Sequence, residues 1–192
     1  CYGMGLEIEE EGEPVEQRVL FHLERMTKRY PVLEEKREDI LQAYRMLSGC
    51  YQRGGKLLLC GNGGSAADAG HIVGELMKGF YKKRPLPPEL KDRLGEMGDR
   101  LQGALPAVSL AQADPLFTAF SNDVDASLVF AQQVIGLGRK GDVLMAISTS
   151  GNSDNIVKAA KAARAVEMRV IGLTGEGGGR LAEESDVLIN VP

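Results

Sequence analysis

The chain has 192 residues, 43% hydrophobic and 26% charged, with a net charge of -4, the size and balance of one globular domain that buries a core without disulfide or metal support. No apolar run approaches the ~18 residues of a membrane span, and the first residues lack the basic start and apolar middle of a secretory leader. The longest basic run, Lys82-Lys83-Arg84, and the 5% of aromatic residues are too sparse for a nucleic-acid surface, so the expectation is a cytoplasmic protein with neither nucleic acid nor membrane as partner.

Residues 1–13 are acidic and aperiodic and are expected to form a flexible tail. Residues 14–192 read as a single domain, opening with N-terminal helices over 14–53. Val15, Val19, Leu20, Leu23 and Met26 recur at helical spacing, as do Leu33, Ile40, Ala43, Tyr44 and Leu47. Pro31 divides the two helices, because its ring cannot continue an interior hydrogen-bond ladder, and Gly54-Gly55 ends the second. An α/β core follows over 54–192. Apolar runs at 56–60 (KLLLC), 105–110 (LPAVSL), 142–147 (DVLMAI), 169–173 (RVIGL) and 186–191 (DVLINV) read as five strands, with helical or Gly-rich segments between them. Continuous apolar strands alternating with helices indicate a parallel sheet covered on both faces. Residues 81–103, charged and carrying Pro85-Leu86-Pro87-Pro88, read as an insertion with a short helix near 89–94. Cys1, Cys50 and Cys60 have no C-x-x-C spacing, and Cys60 ends an apolar run, so it reads as a buried free thiol rather than a nucleophile or ligand.

In a parallel sheet, ligands bind where strands exit into helix N-termini. Two such exits have suitable composition. Gly61-Asn62-Gly63-Gly64-Ser65 combines glycines that let a ligand approach the backbone with the directional side chains of Asn62 and Ser65. By itself it is equally an ordinary turn. Ser148-Thr149-Ser150-Gly151-Asn152-Ser153 supplies a row of hydroxyls just before a helix near Asp154. It contains no lysine and no G-x-x-x-x-G-K-[ST] pattern, which argues against a nucleotide loop; hydroxyls plus amides suit a single terminal phosphate. The bland alternative is a helix cap in an exposed turn. His71 and Glu75 stand four apart on the helix leaving the first exit, so they share a face. Such a pair can hold a divalent metal, act as base and partner, or simply hydrogen bond at a surface. Asn122-Asp123 are adjacent polar side chains that by themselves read as a turn or cap more readily than as a substrate contact.

Taken together, CGNGGSAADAGHIVGEL (60–76), SNDVD (121–125), GDVLMAISTSGNSDNIVKA (141–159) and LTGEGGG (173–179) resemble a SIS (sugar isomerase) domain, and more narrowly the sedoheptulose 7-phosphate isomerase (phosphoheptose isomerase) group. The likeness runs from about Tyr44 to Pro192. It implies a flavodoxin-like five-stranded parallel sheet and a homotetramer or homodimer with sites between subunits. It also implies that Ser148, Thr149, Ser150 and Ser153 hold a sugar phosphate, while Asn62, Gly63, Gly64, Ser65, Asn122 and Asp123 line the site. By the same resemblance His71 and Glu75 are zinc ligands, and Glu75 is the base. The family continues past the last strand with a helix bearing further metal ligands and an acid, so a C-terminal helix is expected to be missing from this chain. The insertion at 81–103 is longer than in the plain isomerase and is expected to cover the site, alter the substrate or dock a partner. The leading expectation is isomerisation of sedoheptulose 7-phosphate to a manno-heptose 7-phosphate. The alternatives are a non-catalytic phosphosugar-binding or protein-bridging module, and a hexosamine-phosphate enzyme or lyase of the wider superfamily.

Overall fold

The apolar runs become strands because each is continuous enough to be buried on both faces. The computed structural model describes residues 15–79 and 82–192, so the expected tail at 1–13 lies outside the described residues. Strands β1 (Leu57–Gly61), β2 (Ala107–Ser109), β3 (Val143–Ser148), β4 (Arg169–Gly175) and β5 (Val187–Val191) form one sheet in the order β2-β1-β3-β4-β5. Every pairing is parallel. β2 is half the length of the apolar run that predicted it, because it is an edge strand that leaves the sheet into a tight turn at Leu110. The strand order reverses between β1 and β3, so their exits flank the crevice where sheets of this kind take ligands.

Alternation along the strands separates two apolar layers. Leu58, Cys60, Leu144, Ala146 and Val170 face one side, and Leu57, Leu59, Val143, Ile147 and Ile171 face the other. The N-terminal part forms α1 (Val15–Arg29), a 3-10 turn at Pro31–Lys36 and α2 (Arg37–Gln52). From α2, Ala43 and Cys50 join the second layer, as does Ala69 of α3 (Gly64–Met77). The segment between α3 and β2 contains α4 (Pro88–Leu94). After β2 come α5 (Asp114–Phe120), a π-helical turn at Ser121–Asp125, a short 3-10 turn and α6 (Val129–Leu137). These close the first layer with α7 (Asp154–Ala165) and α8 (Leu181–Glu184), through Phe130, Val134, Ile156, Ala160 and Leu181.

α3 starts at the carboxyl end of β1 and runs back along the sheet, so its last turn reaches the amino edge, where Leu105 N–H donates to the Leu76 carbonyl at 3.0 Å. The inserted segment hangs from that edge. Arg84 clasps its two ends, donating from Nη2 to the Leu76 carbonyl at 2.6 Å and from Nε to the Gly103 carbonyl at 2.9 Å. The segment therefore lies at the opposite end of the sheet from the two loops of its own chain and does not cover them. Asp142 organises the same edge, accepting from the Lys56 and Arg139 amides, each at 2.9 Å, and pairing with the Lys56 ammonium.

Candidate active site

The turn after β3 is held by its own polar groups. The Ser148 side chain is buried, and its Oγ lies 3.1 Å from Ser153 Oγ. Gly151 N–H closes the turn onto the Ser148 carbonyl at 2.9 Å, while Ser150 accepts from Asn152 N–H at Oγ (3.2 Å) and from Asn152 Nδ2 at its carbonyl (2.8 Å). Gly151 has φ +64, a conformation that favours glycine. Ser153 occupies the N-cap position of α7, yet its side chain makes no capping bond. Of the first-turn amides of α7, that of Ile156 turns back to the Ser153 carbonyl at 3.0 Å, while those of Asp154 and Asn155 have no carbonyl ahead of them in the helix. They are thus free of the side-chain cap that an ordinary Ser N-cap supplies. Thr149 and Ser150 are exposed on the same turn.

The β1 exit faces this turn across the crevice. A Cβ on Gly61 would meet the Ser65 backbone at 2.6 Å, so the first glycine is what lets α3 cross so close over its strand. Gly63 takes φ +52, and α3 likewise starts without a side-chain cap. Asn62 and Asn155 exchange two amide hydrogen bonds, each 2.9 Å, which tie the β1 loop to the first turn of α7. Asn62, Gly63, Gly64 and Ser65 are therefore brought to the same crevice as Ser148, Thr149, Ser150 and Ser153.

Asn122 and Asp123 lie in the π-helical turn, where Asn122 Nδ2 donates to Asp123 Oδ1 at 2.8 Å. Both are exposed. The segment is moored to α7 by Lys158, whose ammonium reaches Ser127 Oγ, lies 2.7 Å from Asp154 Oδ2, and is 4.0 Å from Asp125 Oδ2. Bonds from Ser127 hold the Asp125 carboxyl below its usual range.

His71 and Glu75 sit on the exposed flank of α3, with Nε2 to Oε1 at 3.5 Å and side chains 77% and 57% exposed. Glu75 lies about 16 Å along the helix axis from Gly64, at 1.5 Å per residue. The His71–Glu75 pair and the hydroxyl turn are thus at two separate stations of one chain. A catalytic zinc takes three protein donors and keeps an open position, and among the described residues no group of three His, Cys, Asp or Glu side chains converges on this pair or elsewhere. The described residues alone therefore do not make a zinc site. The surface hollow lined by Arg164, Glu167, Met168, Arg169 and Asp186 is at the amino end of β4 and β5, remote from both stations.

With this geometry in view, the sequence pattern of the SIS domain matches residues 23–175. The chain belongs to the SIS domain family. Its likeness to that family's phosphoheptose isomerases is close: it is 42% identical over 180 residues to the phosphoheptose isomerase of Laribacter hongkongensis, covering 92% of this chain and 83% of that protein. It is 46% identical over 145 residues to the phosphoheptose isomerase of Desulfovibrio desulfuricans, covering 76% of this chain but 60% of that protein. The fold superposes on the phosphoheptose isomerase from Neisseria gonorrhoeae with TM-score 0.70 at 38% identity, covering 93% of this chain and 86% of that one. For the Francisella tularensis phosphoheptose isomerase the TM-score is 0.72 at 32% identity, covering 94% and 87%.

Three residues of this SIS domain that matter to the crevice carry no local sequence signal. Asn155 and Lys158 look like routine polar positions on α7, and Arg180 looks like the end of a Gly-rich turn. Each acts through a partner distant in sequence, Asn62, Ser127 and Asn152 respectively. Among the described residues, no helix is long and apolar enough to cross a membrane.

Proposed function

We propose that this SIS domain isomerises sedoheptulose 7-phosphate to a manno-heptose 7-phosphate, as a cytoplasmic homo-oligomer. The observation that carries the reading is the turn after β3: exposed hydroxyls at Thr149 and Ser150 stand over helix amides that no side chain caps. A phosphate dianion completes such a set, with hydroxyls and amides donating and the helix dipole favouring its charge. The names of the relatives support a heptose phosphate as the molecule that carries it. Asn62, Gly63, Gly64 and Ser65 would take the sugar hydroxyls, and Asn122 and Asp123 would line the remaining wall. Holding the phosphate end orients the reacting end, so that part of the barrier is met by binding.

Glu75 of a neighbouring copy serves as the base, since the pair of the same chain stands a helix length away from the turn that holds the phosphate. Its carboxylate takes the proton from C1 of the ketose, the C–H electron pair forms the C1=C2 bond, and the carbonyl oxygen at C2 takes up a proton. Glu75 then returns its proton to C2 as the O1 hydroxyl gives up its own, leaving the aldose with no net oxidation. His71, 3.5 Å from Glu75, holds that carboxylate in orientation. Zinc at this pair is part of the proposal only with donors from outside the described residues; the C1-to-C2 proton transfer runs through Glu75, and the proton that O1 gives up balances the one that O2 takes up. A second copy laid against α3 would take the exposed pair out of bulk water, which a proton transfer of this kind requires. The exposed Phe21, Tyr30 and Val32 of the N-terminal part offer apolar surface for such a contact. The free, buried Cys50 and Cys60 suit a reducing compartment.

The test is turnover of sedoheptulose 7-phosphate followed by NMR, with Glu75→Gln and Ser150→Ala alongside. Removing the base should lower kcat by about 10²–10⁴-fold, and removing the hydroxyl should weaken substrate binding. Ligand binding that needs Ser150, without turnover of this substrate, would instead indicate a phosphosugar-binding module.

A further inference from the structure

The turn after β3 does not stand alone. Each of its carbonyls from Ser148 to Asn152 is engaged away from the crevice: Ser148 by Gly151 N–H, Thr149 by Gly175 N–H at 2.8 Å, Ser150 by Asn152 Nδ2, Gly151 by Leu181 N–H at 2.9 Å, and Asn152 by Arg180 Nη2 at 2.8 Å. Three of these five donors belong to the segment 175–181, which begins at the last residue of β4. The two turns touch backbone to backbone. A Cβ on Gly151 would overlap the Gly178 carbonyl, and one on Gly179 would lie 2.6 Å from the Ser150 carbonyl oxygen. Arg180 closes the contact, because its amide donates to Asn152 Oδ1 at 3.1 Å and its guanidinium also reaches Asp154 Oδ1 at 3.3 Å.

We propose that Arg180, with the 175–181 turn, is a positioning brace that sets phosphate affinity from outside the site, by turning the carbonyls of the 148–152 turn outward and restraining Asp154. The inference rests on the phosphate reading given above. Its physical basis is that a carbonyl dipole facing a dianion repels it, so a phosphate turn must present hydroxyls and amides and hide its carbonyls. Asp154 is a second liability, a carboxylate on the first turn of the helix that would receive the anion. Lys158 and then Arg180 engage it, and both hold its carboxyl below the usual range. A planar guanidinium can serve a carbonyl and a carboxylate together, which an ammonium does less well. Arg180 itself needs no contact with substrate.

The measurement is the Kd of inorganic phosphate by calorimetry for the wild type, Arg180→Met, Arg180→Lys and Ser150→Ala, with KM and kcat for sedoheptulose 7-phosphate beside it. Arg180→Met should weaken phosphate and raise KM together by about 10-fold while kcat changes by less than about 2-fold, the pattern of lost uniform binding. Arg180→Lys should recover part of the loss. If Ser150→Ala weakens phosphate but Arg180→Met does not, even with a lowered melting midpoint, the brace is overturned and the phosphate site stands. If neither variant changes phosphate binding, the phosphate reading fails and the brace falls with it.

Discussion

The two stations of this SIS domain are built in opposite ways. The turn after β3 is pinned on every carbonyl, backed by a second turn at backbone contact, and tied to the β1 loop through Asn62 and Asn155. The flank of α3 offers His71 and Glu75 to solvent, with a 3.5 Å contact to each other. The first station is complete within one chain, while the second lacks enclosure. Under the proposed function, binding needs only the first station, and catalysis needs something laid over the second.

That contrast can be tested most severely at Gly179. Its φ of +59 and the facing Ser150 and Gly151 backbone leave no room for a methyl group. Gly179→Ala should cost about 3 kcal/mol of stability in urea unfolding, from overpacking and backbone strain together. A loss under about 1 kcal/mol would mean that the two turns part easily and that the first station is not rigid. An effect seen only above pH 9 comes from the floor beneath both loops. Burial pushes the Cys60 thiol up to about 12 from an ordinary 9.0. The neutral thiol's contribution is fully present below the unfolded value and is lost as pH rises from 9 toward 12, at about 1.4 kcal/mol per pH unit. Cys60→Ala should flatten that alkaline decline in unfolding experiments, and an unchanged slope would show that the floor admits water. The smallest effect is expected on the open flank. His71→Ala should change stability by less than about 0.5 kcal/mol, as for other exposed pairs. A larger loss would mean that the α3 flank is packed in solution, which would break the contrast in favour of an assembled site.

Much of the scaffold was readable because buried parallel strands are continuous apolar runs: KLLLC, DVLMAI, RVIGL and DVLINV each become a strand within a residue or two of the expected place. LPAVSL overstated β2, since half-exposed edge residues such as Val108 carry the composition of a strand without its pairing. The π-helical turn holding Asn122 and Asp123 has no signature in the short polar run SNDVD. The hydroxyl turn was legible from composition. The roles of Arg180, Asn155 and Lys158 were not, since each depends on which distant segment the fold brings alongside. The separation of Glu75 from Gly64 follows from the helix rise over the intervening residues of α3.

Hanging residues 82–103 from the amino edge, clasped at its neck by Arg84, separates the sheet's two margins. A change of length or sequence beyond that clasp leaves the hydroxyls and amides on the far side of the sheet where they are.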